Sequence, residues 1–349
     1  MKFKIFDNVP LLYKSMLEDI KLAEKNICLE TYIYGEDSIG LKFKNALLKK
    51  AKEGVKIKVL IDGWGSSVDE EYFKDLPRLG AEVKIFRKFR YTMRIFTENH
   101  KRDHRKLLLI DDNIAYIGSA NIAKHFLKWR EITLRLEGEI SEKFKESFMH
   151  LWEAPNIFKF KIFKTIHCKN YEIISDIASH FYTPTQKKYL KMMKNAKKSI
   201  LIETPYFVPP FRIRKAIKDA AKRGIKVILM TPHSSDVKII DIIKEKYLGK
   251  LYKIGIKIYY YKPKILHSKF MVVDNTYFIL GSSNLDYRSF VYQYELNLYG
   301  RDKEISNELS KKFYQALAES EPFEYKQWKN RPLLNKVLEK LIYIFRTIL

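Results

Sequence analysis

The pattern H-x-K-x4-D-x6-G-S-x-N occurs twice, first as His104, Lys106, Asp111, Gly118, Ser119 and Asn121 and again as His267, Lys269, Asp274, Gly281, Ser282 and Asn284. These copies are the most polar part of a longer duplication. AEKNICLETYIY (23–34) is answered by AKKSILIETPYF (196–207), AKEGVKIKVLID (51–62) by AKRGIKVILMTP (221–232), and GAEVKIF (80–86) by GIKIYYY (255–261). A structural unit used twice puts equivalent residues in equivalent places, so the repeat constrains the architecture before any single element is assigned.

In each copy an amphipathic helical stretch precedes a buried apolar strand, a helix ends at Gly54 or Gly224, and a β-branched strand follows. Strands alternating with helices of this length predict right-handed crossovers and an α/β fold of two homologous halves, each a mostly parallel sheet flanked by helices. The expected division is a first half over 1–153, a connector over 154–170, a second half over 171–320 and a basic amphipathic tail over 321–349. A strand of period two sets His104 and Lys106 on one face, and His267 and Lys269 likewise. Asp111 and Asp274 fall on the opposite parity at the entry to a turn and are read as holding that turn. Each half then closes with a strand that carries an acid, Glu131 in WREITLRLEG and Glu295 in YELNLYG.

Composition narrows the class. The chain of 349 residues is 46% hydrophobic, enough for a sizeable core, and its 2 cysteines cannot make a disulfide framework, which points to a reducing compartment. The amino terminus lacks the apolar stretch of a secretory signal, and no 18 apolar residues run together, so no membrane-spanning helix is expected. A net charge of +25 concentrates anionic partners, nucleic acid or acidic lipid, without choosing between them.

The chemistry follows from the side chains. A phosphodiester repels nucleophiles, so a site that attacks it must neutralise the non-bridging oxygens. Lys106 and Lys269 supply two cations and Asn121 and Asn284 two amide donors, together a phosphate clamp. Imidazole titrates near neutrality, so one of His104 and His267 can attack phosphorus while the other, protonated, gives its proton to the departing alkoxide. The roles reverse in a second step, and a phosphohistidine is the implied intermediate. Glu131 and Glu295 are candidates to accept a bond from the far ring nitrogen of a catalytic histidine. Ser119 and Ser282 follow glycine at a strand end, where a hydroxyl bonds either backbone or ligand. No metal and no cofactor is expected, because lysine beside each histidine disfavours a cation and no His, Cys and Asp cluster has metal-ligand spacing.

This doubled pattern resembles the phospholipase D superfamily, whose signature is the His-Lys-Asp motif in two copies, and within it the chain is most similar to bacterial cardiolipin synthases. The similarity extends from Leu11 to Leu349 and includes LETYIYGEDSIG, VLIDGWGSS, DHRKLLLIDDNIAYIGSANIA, ETPYFVPP, LHSKFMVVDNTYFILGSSNLDYRSF and YELNL. The resemblance implies two halves packed about a pseudo-twofold axis with one shared active site. It also implies a ping-pong phosphatidyl transfer that joins two phosphatidylglycerols into cardiolipin and glycerol. His104 would then be the nucleophile and His267 the general acid, although internal symmetry leaves that order open. Two departures stand out: the chain begins almost at the catalytic region, where many such synthases carry two membrane helices first, and Glu131 stands where the family commonly has Asp.

The expected partners are an anionic phospholipid, phosphatidylglycerol, and the cytoplasmic face of the cell membrane as a peripheral surface; nothing in the sequence fixes an oligomeric state. Two segments suit a lipid interface. One is FRKFRYTMRIF (86–96); the other is the tail from Asn330, with Leu334, Val337, Leu338, Leu341, Phe345 and Ile348 at helical spacing among Lys329, Arg331, Lys336, Lys340 and Arg346. The same tail spacing also describes a helix docked on the protein's own core. Hydrolysis of phospholipids by the same chemistry and a nuclease acting on nucleic-acid phosphodiesters are the alternative functions, with nucleic acid the weaker partner.

Overall fold

Helices form where the chain offers a cap and an apolar face together. Asn8 accepts from the backbone of Leu11 at 3.0 Å to start one helix, and Asp37 accepts from Ile39 and Gly40 at 2.8 and 3.1 Å to start the next. In the second, Ile39, Phe43, Leu47 and Ala51 line one buried face. The computed structural model describes residues 1–87, 99–153 and 165–343. Its first half runs β1 (Lys2–Phe6), α1 (Val9–Leu22), β2 (Asn26–Thr31), α2 (Ser38–Lys52), β3 (Lys56–Asp62), α3 (Asp75–Arg78), β4 (Glu82–Phe86), β5 (Arg102–Asp103), β6 (Leu107–Ile110), β7 (Ile114–Gly118), β8 (Thr133–Glu137) and α4 (Ile140–Trp152). The second continues with β9 (Ile166–Cys168), β10 (Tyr171–Asp176), α5 (Pro184–Asn195), β11 (Ser199–Glu203), β12 (Phe207–Val208), α6 (Phe211–Lys222), β13 (Lys226–Pro232), α7 (Lys238–Tyr252), β14 (Lys257–Tyr261), β15 (Phe270–Val273), β16 (Tyr277–Gly281), β17 (Leu285–Asp286), α8 (Tyr287–Val291), β18 (Gln293–Arg301) and α9 (Lys303–Ala318). Beyond it lie β19 (Ser320–Pro322), α10 (Tyr325–Lys329) and α11 (Leu333–Ile342).

The repeat folds as two α/β units. One sheet has the order β1-β8-β7-β6-β2-β3-β4, and the other runs β19-β14-β13-β11-β15-β16-β18-β10-β9. Where helices connect strands the pairing is parallel, as expected: β2 with β3 and β3 with β4, then β11 with β13 and β13 with β14. The motif strands depart from a mostly parallel sheet. β6 joins β2, and β15 joins β11, in antiparallel register, and a tight turn then reverses each motif strand into β7 or β16, so both sheets are mixed.

Alternation along the motif strands sorts the core into layers. Leu107 and Leu109 face a central core shared by both halves, while Leu108 and Ile110 face α1 and α2 on the outside. Phe270 and Val272 point to the same central core, and Met271 and Val273 to the outer core of the second half. Phe144 and Phe148 from α4 and Leu309 and Phe313 from α9 fill the middle. The halves are therefore welded by apolar burial and not merely tethered.

At the end of β6 remote from Lys106, Asp111 and Asp112 both have positive φ, 54° and 59°, and the Asn113 amide donates to the Ile110 carbonyl at 3.1 Å. That turn aims the Asp111 carboxylate at three backbone amides, Glu24, Lys25 and Asn26, at 2.8, 2.7 and 2.9 Å. Asp274 (φ 55°) does the same for Lys197, Lys198 and Ser199 at 2.8, 2.7 and 2.9 Å. Each motif aspartate thus fastens its hairpin to the start of the neighbouring strand.

The tail is a helix only in part against the protein. α11 packs on α7, with Glu339 buried and bonded to Arg331 at 2.5 Å, while Leu333, Leu334, Val337 and Leu341 stay exposed. Phe345, Arg346 and Ile348, residues 88–96 of the aromatic basic segment, and 154–164 of the connector lie outside the described residues.

Asp111→Ala removes three charge-assisted bonds and forces alanine into a left-handed conformation, so a loss of about 2–4 kcal/mol in unfolding free energy is expected by urea denaturation. Stability within about 0.5 kcal/mol of the parent protein, a typical surface-substitution effect, would show that the carboxylate does not hold the hairpin.

Candidate active site

The register places both motifs at one end of the molecule. Leu107 pairs with Glu30 and Phe270 with Glu203, so the chain just ahead of each motif strand sits at the carboxyl end of β2 or β11. His104 and Lys106, and His267 and Lys269, occupy extended links that stop short of the strands themselves, a correction to the strand placement expected from period two. The cause is visible in their bonding. The His104 amide donates to the Tyr294 carbonyl at 2.9 Å and the His267 amide to Arg130 at 2.9 Å, so each link is bonded to the opposite half.

The acids cross in the same way. His104 Nδ1 lies 3.1 Å from both carboxylate oxygens of Glu295, and His267 Nδ1 lies 2.7 Å from Glu131. Each histidine is therefore oriented by a glutamate of the other half, and its Nε2 has no hydrogen-bond partner among the described residues. All six of these His, Lys and Glu side chains are buried. Burial drives His104 well below the ordinary imidazole value, reinforced by the charges of Lys106, Lys269 and His267. His267 is lowered by burial too, with Glu131 opposing the shift. Burial brings Lys106 down to about 7 and Lys269 to about 8, and raises Glu295 to about 8. A dry pocket of this kind disfavours charge until an anion enters to balance its cations.

The remaining motif residues divide between ligand and scaffold. Asn121 Oδ1 accepts from Ile33 at 3.1 Å, and its Nδ2 is a buried donor without a hydrogen-bond partner among the described residues. Such a donor suits an incoming phosphoryl oxygen. Asn284 is fixed through its backbone, which donates to Ser289 Oγ at 3.0 Å. The serines face backbone. Ser119 Oγ exchanges bonds with Ile132 at 3.1 and 3.2 Å, and Ser282 Oγ with Leu296 at 2.9 and 3.3 Å while also donating to Glu295. Gly118 and Gly281 allow this approach: a Cβ there would meet the Ile132 carbonyl at 2.3 Å or the Leu296 carbonyl at 2.2 Å.

Several participants were not singled out from sequence. Arg105 pairs with buried Glu30 at 2.9 Å, and Arg130 reaches across the halves to Glu203 at 2.8 and 3.2 Å, with Ser268 also bonded to Glu203. Tyr32 stands edge-on to His104 and Trp129 edge-on to His267, with ring centres 5.0 and 5.3 Å apart. The repeated Glu-Thr of the two ET segments was the available signal for the first pair; the aromatic contacts had none. Among the described residues no group of three or more His, Cys, Asp or Glu is arranged to hold a metal.

Comparison with known proteins agrees with this geometry. The family model described as "Cardiolipin synthase, PLD-like domain" matches residues 16–152 and 189–317. The major cardiolipin synthase ClsA of Bacillus subtilis is 32% identical over 97% of this chain and 73% of its own length, and cardiolipin synthase 1 of Staphylococcus epidermidis is 33% identical over 100% and 74%. The crystal structure of phosphatidylserine synthase from Haemophilus influenzae superposes with a TM-score of 0.79, covering 99% of this chain and 95% of that one, at 14% identity, which speaks for the fold alone. With both halves matched by one family model and nearly all of the chain aligned to curated relatives at 32–33% identity, the chain belongs to the cardiolipin synthase family of phospholipase D-like proteins.

Proposed function

We propose that this protein is a phosphatidyltransferase that joins two phosphatidylglycerols into cardiolipin and glycerol through a phosphohistidine. The observation that carries the reading is the crossed bonding of the two buried histidines, each held through Nδ1 by a glutamate of the other half, with no bond to either Nε2 among the described residues. Nε2 of one histidine attacks the donor phosphorus, the phosphorus–oxygen bond to the headgroup glycerol breaks, and the second histidine protonates the departing alkoxide. That second histidine then takes the proton from a hydroxyl of the acceptor phosphatidylglycerol, whose oxygen attacks phosphorus and frees the first. Lys106, Lys269, Asn121 and Asn284 hold the non-bridging oxygens throughout. Glu131 and Glu295 keep each ring in one tautomer and support its charged form. Asp111, Asp274, Ser119 and Ser282 keep the two motif hairpins in place.

The enzyme works as a peripheral protein at the anionic cytoplasmic leaflet, a placement supported by its net charge of +25. Among the described residues no helix is long and apolar enough to cross a membrane.

Incubation with labelled phosphatidylglycerol tests the reaction. Cardiolipin and glycerol are the expected products; phosphatidic acid alone would replace transfer by hydrolysis, and cleavage of DNA with inert lipid would replace the substrate class. His104→Ala and His267→Ala each lower turnover by about 10³-fold or more, and Glu131→Gln and Glu295→Gln by about 10²–10⁴-fold. A variant of either histidine with near-parental turnover would remove the two-imidazole mechanism.

The lysines give a pH dependence with a definite sign. Their clamp requires protonated amines, and burial lowers Lys106 to about 7 and Lys269 to about 8 in the empty site. Capture of phosphatidylglycerol, read as kcat/KM, therefore declines as pH rises through this range. The unliganded protein responds oppositely through the same two groups: an unfolded chain binds more protons there, so their contribution to stability grows from about pH 7 towards the ordinary lysine value. A kcat/KM that rises steadily from pH 7 to 9 would assign anion capture to other groups.

A further inference from the structure

Two large aromatic side chains stand in solvent at the end of the molecule where the pocket lies. Phe181 is 91% exposed and Phe211 is 65% exposed. Their placement follows from the topology. Asp176, the last residue of β10, is paired with Glu295, so the loop carrying Phe181 leaves from the active-site end. α6 begins at Phe211 just after β12, whose partner β17 directly follows Asn284. α5, which starts three residues after Phe181, packs against α6, and both helices start at this end. The two rings therefore belong to one edge of the pocket mouth.

That edge is also positive. Arg212 follows Phe211, Lys238 opens α7 after the carboxyl end of β13, and Lys264 lies in the loop that leads to His267; all three are exposed and make no ion pair among the described residues. The acids nearby are engaged: Asp236 accepts from the Tyr206 hydroxyl at 2.8 Å, and Glu321 pairs with Lys262. On the opposite rim the first half presents exposed Glu36, Asp69 and Glu71 beside exposed Trp64, Lys124 and Lys128, a mixed charge that contrasts with the second-half edge.

We propose that this edge, with Phe181 and Phe211 inserted among acyl chains and Arg212, Lys238 and Lys264 on headgroup phosphates, docks the enzyme on an anionic phospholipid bilayer. The inference rests on the reading of the substrate as a bilayer lipid. Exposed aromatics offer apolar area that a lipid interface takes up, and cations beside them gain from a negative surface. The docked orientation turns the pocket mouth toward the bilayer, so a lipid headgroup enters without leaving the interface. The exposed leucines belong to α11, a helix that packs along α7, and are assigned no part in docking.

Sedimentation of the full chain with phosphatidylglycerol-containing vesicles tests the assignment. Phe181→Ser/Phe211→Ser and, separately, Arg212→Gln/Lys238→Gln/Lys264→Gln are expected to weaken binding by about tenfold or more, since one lost aromatic contact is already worth that factor. Leu334→Ser/Leu341→Ser should bind as the parent does, and all three variants should keep parental activity on phosphatidylglycerol dispersed in detergent. Unchanged binding of the aromatic variant, or loss of binding confined to the α11 variant, overturns the edge. Vesicle binding needs no turnover, so the two readings fail separately. A parent protein that makes cardiolipin but ignores vesicles overturns docking alone, and one that binds through this edge but makes no cardiolipin overturns the proposed reaction alone.

Discussion

The hydrogen bond from each histidine to a glutamate of the other half is the constraint around which the structure is organised. A carboxylate inside a protein is costly unless a donor meets it, and an imidazole with neither nitrogen fixed has no defined tautomer. Crossing meets both needs at once: Glu295 accepts from His104 and Ser282, and one oxygen of Glu131 accepts from His267. Neither half by itself contains an oriented histidine. That dependence accounts for the shared apolar core between the sheets, since a hinge there would loosen the reactive rings.

The same motif that supplies the chemistry also builds its support, and the two tasks lie at opposite ends of one hairpin. Histidine and lysine precede the strand at the pocket; aspartate, seven residues after the histidine, pins the far turn to three amides. Glycine and serine then return the chain to the pocket end. The missing Cβ lets the acid-bearing segment lie against the hairpin, and the serine hydroxyl bonds the residue that follows the acid. Spacing within the motif is thus set by the length of a four-residue strand out and a five-residue strand back.

Much of this was legible because it repeats. Two halves, their crossover helices and the residues gathered at the pocket could be read from paired segments, since composition alone does not bring His, Lys, Asp, Gly, Ser and Asn back in register. Sheet direction was harder to see: Leu107–Ile110 and Ile114–Gly118 look like any buried strands, and only the turn at Asp111 and Asp112, with its left-handed backbone, reveals the antiparallel reversal. The crossing of the acids was invisible for a different reason. Glu131 and Glu295 are equivalent by symmetry, so a sequence cannot say whether each serves its own histidine or the other, and the answer comes from backbone bonds between His104 and Tyr294 and between His267 and Arg130.

Symmetry also fails locally, and those failures separate the two histidines. Ahead of His104 stands Asp103, buried against Glu30 with Arg105 beside them, where the second half has Leu266 and Ser268; Arg130 leaves the first half to serve Glu203. His104 is pushed well below the ordinary imidazole range by burial and by both lysines, with Arg288 adding to the effect. His267 has a shorter bond to its glutamate, 2.7 Å against 3.1 Å, and that carboxylate opposes the lowering. A histidine kept neutral is the better nucleophile, and one that regains its proton beside a close carboxylate is the better acid. In the proposed reaction His104 therefore attacks phosphorus and His267 carries the proton, a division of labour set by the surroundings of two identical motifs rather than by the motifs themselves.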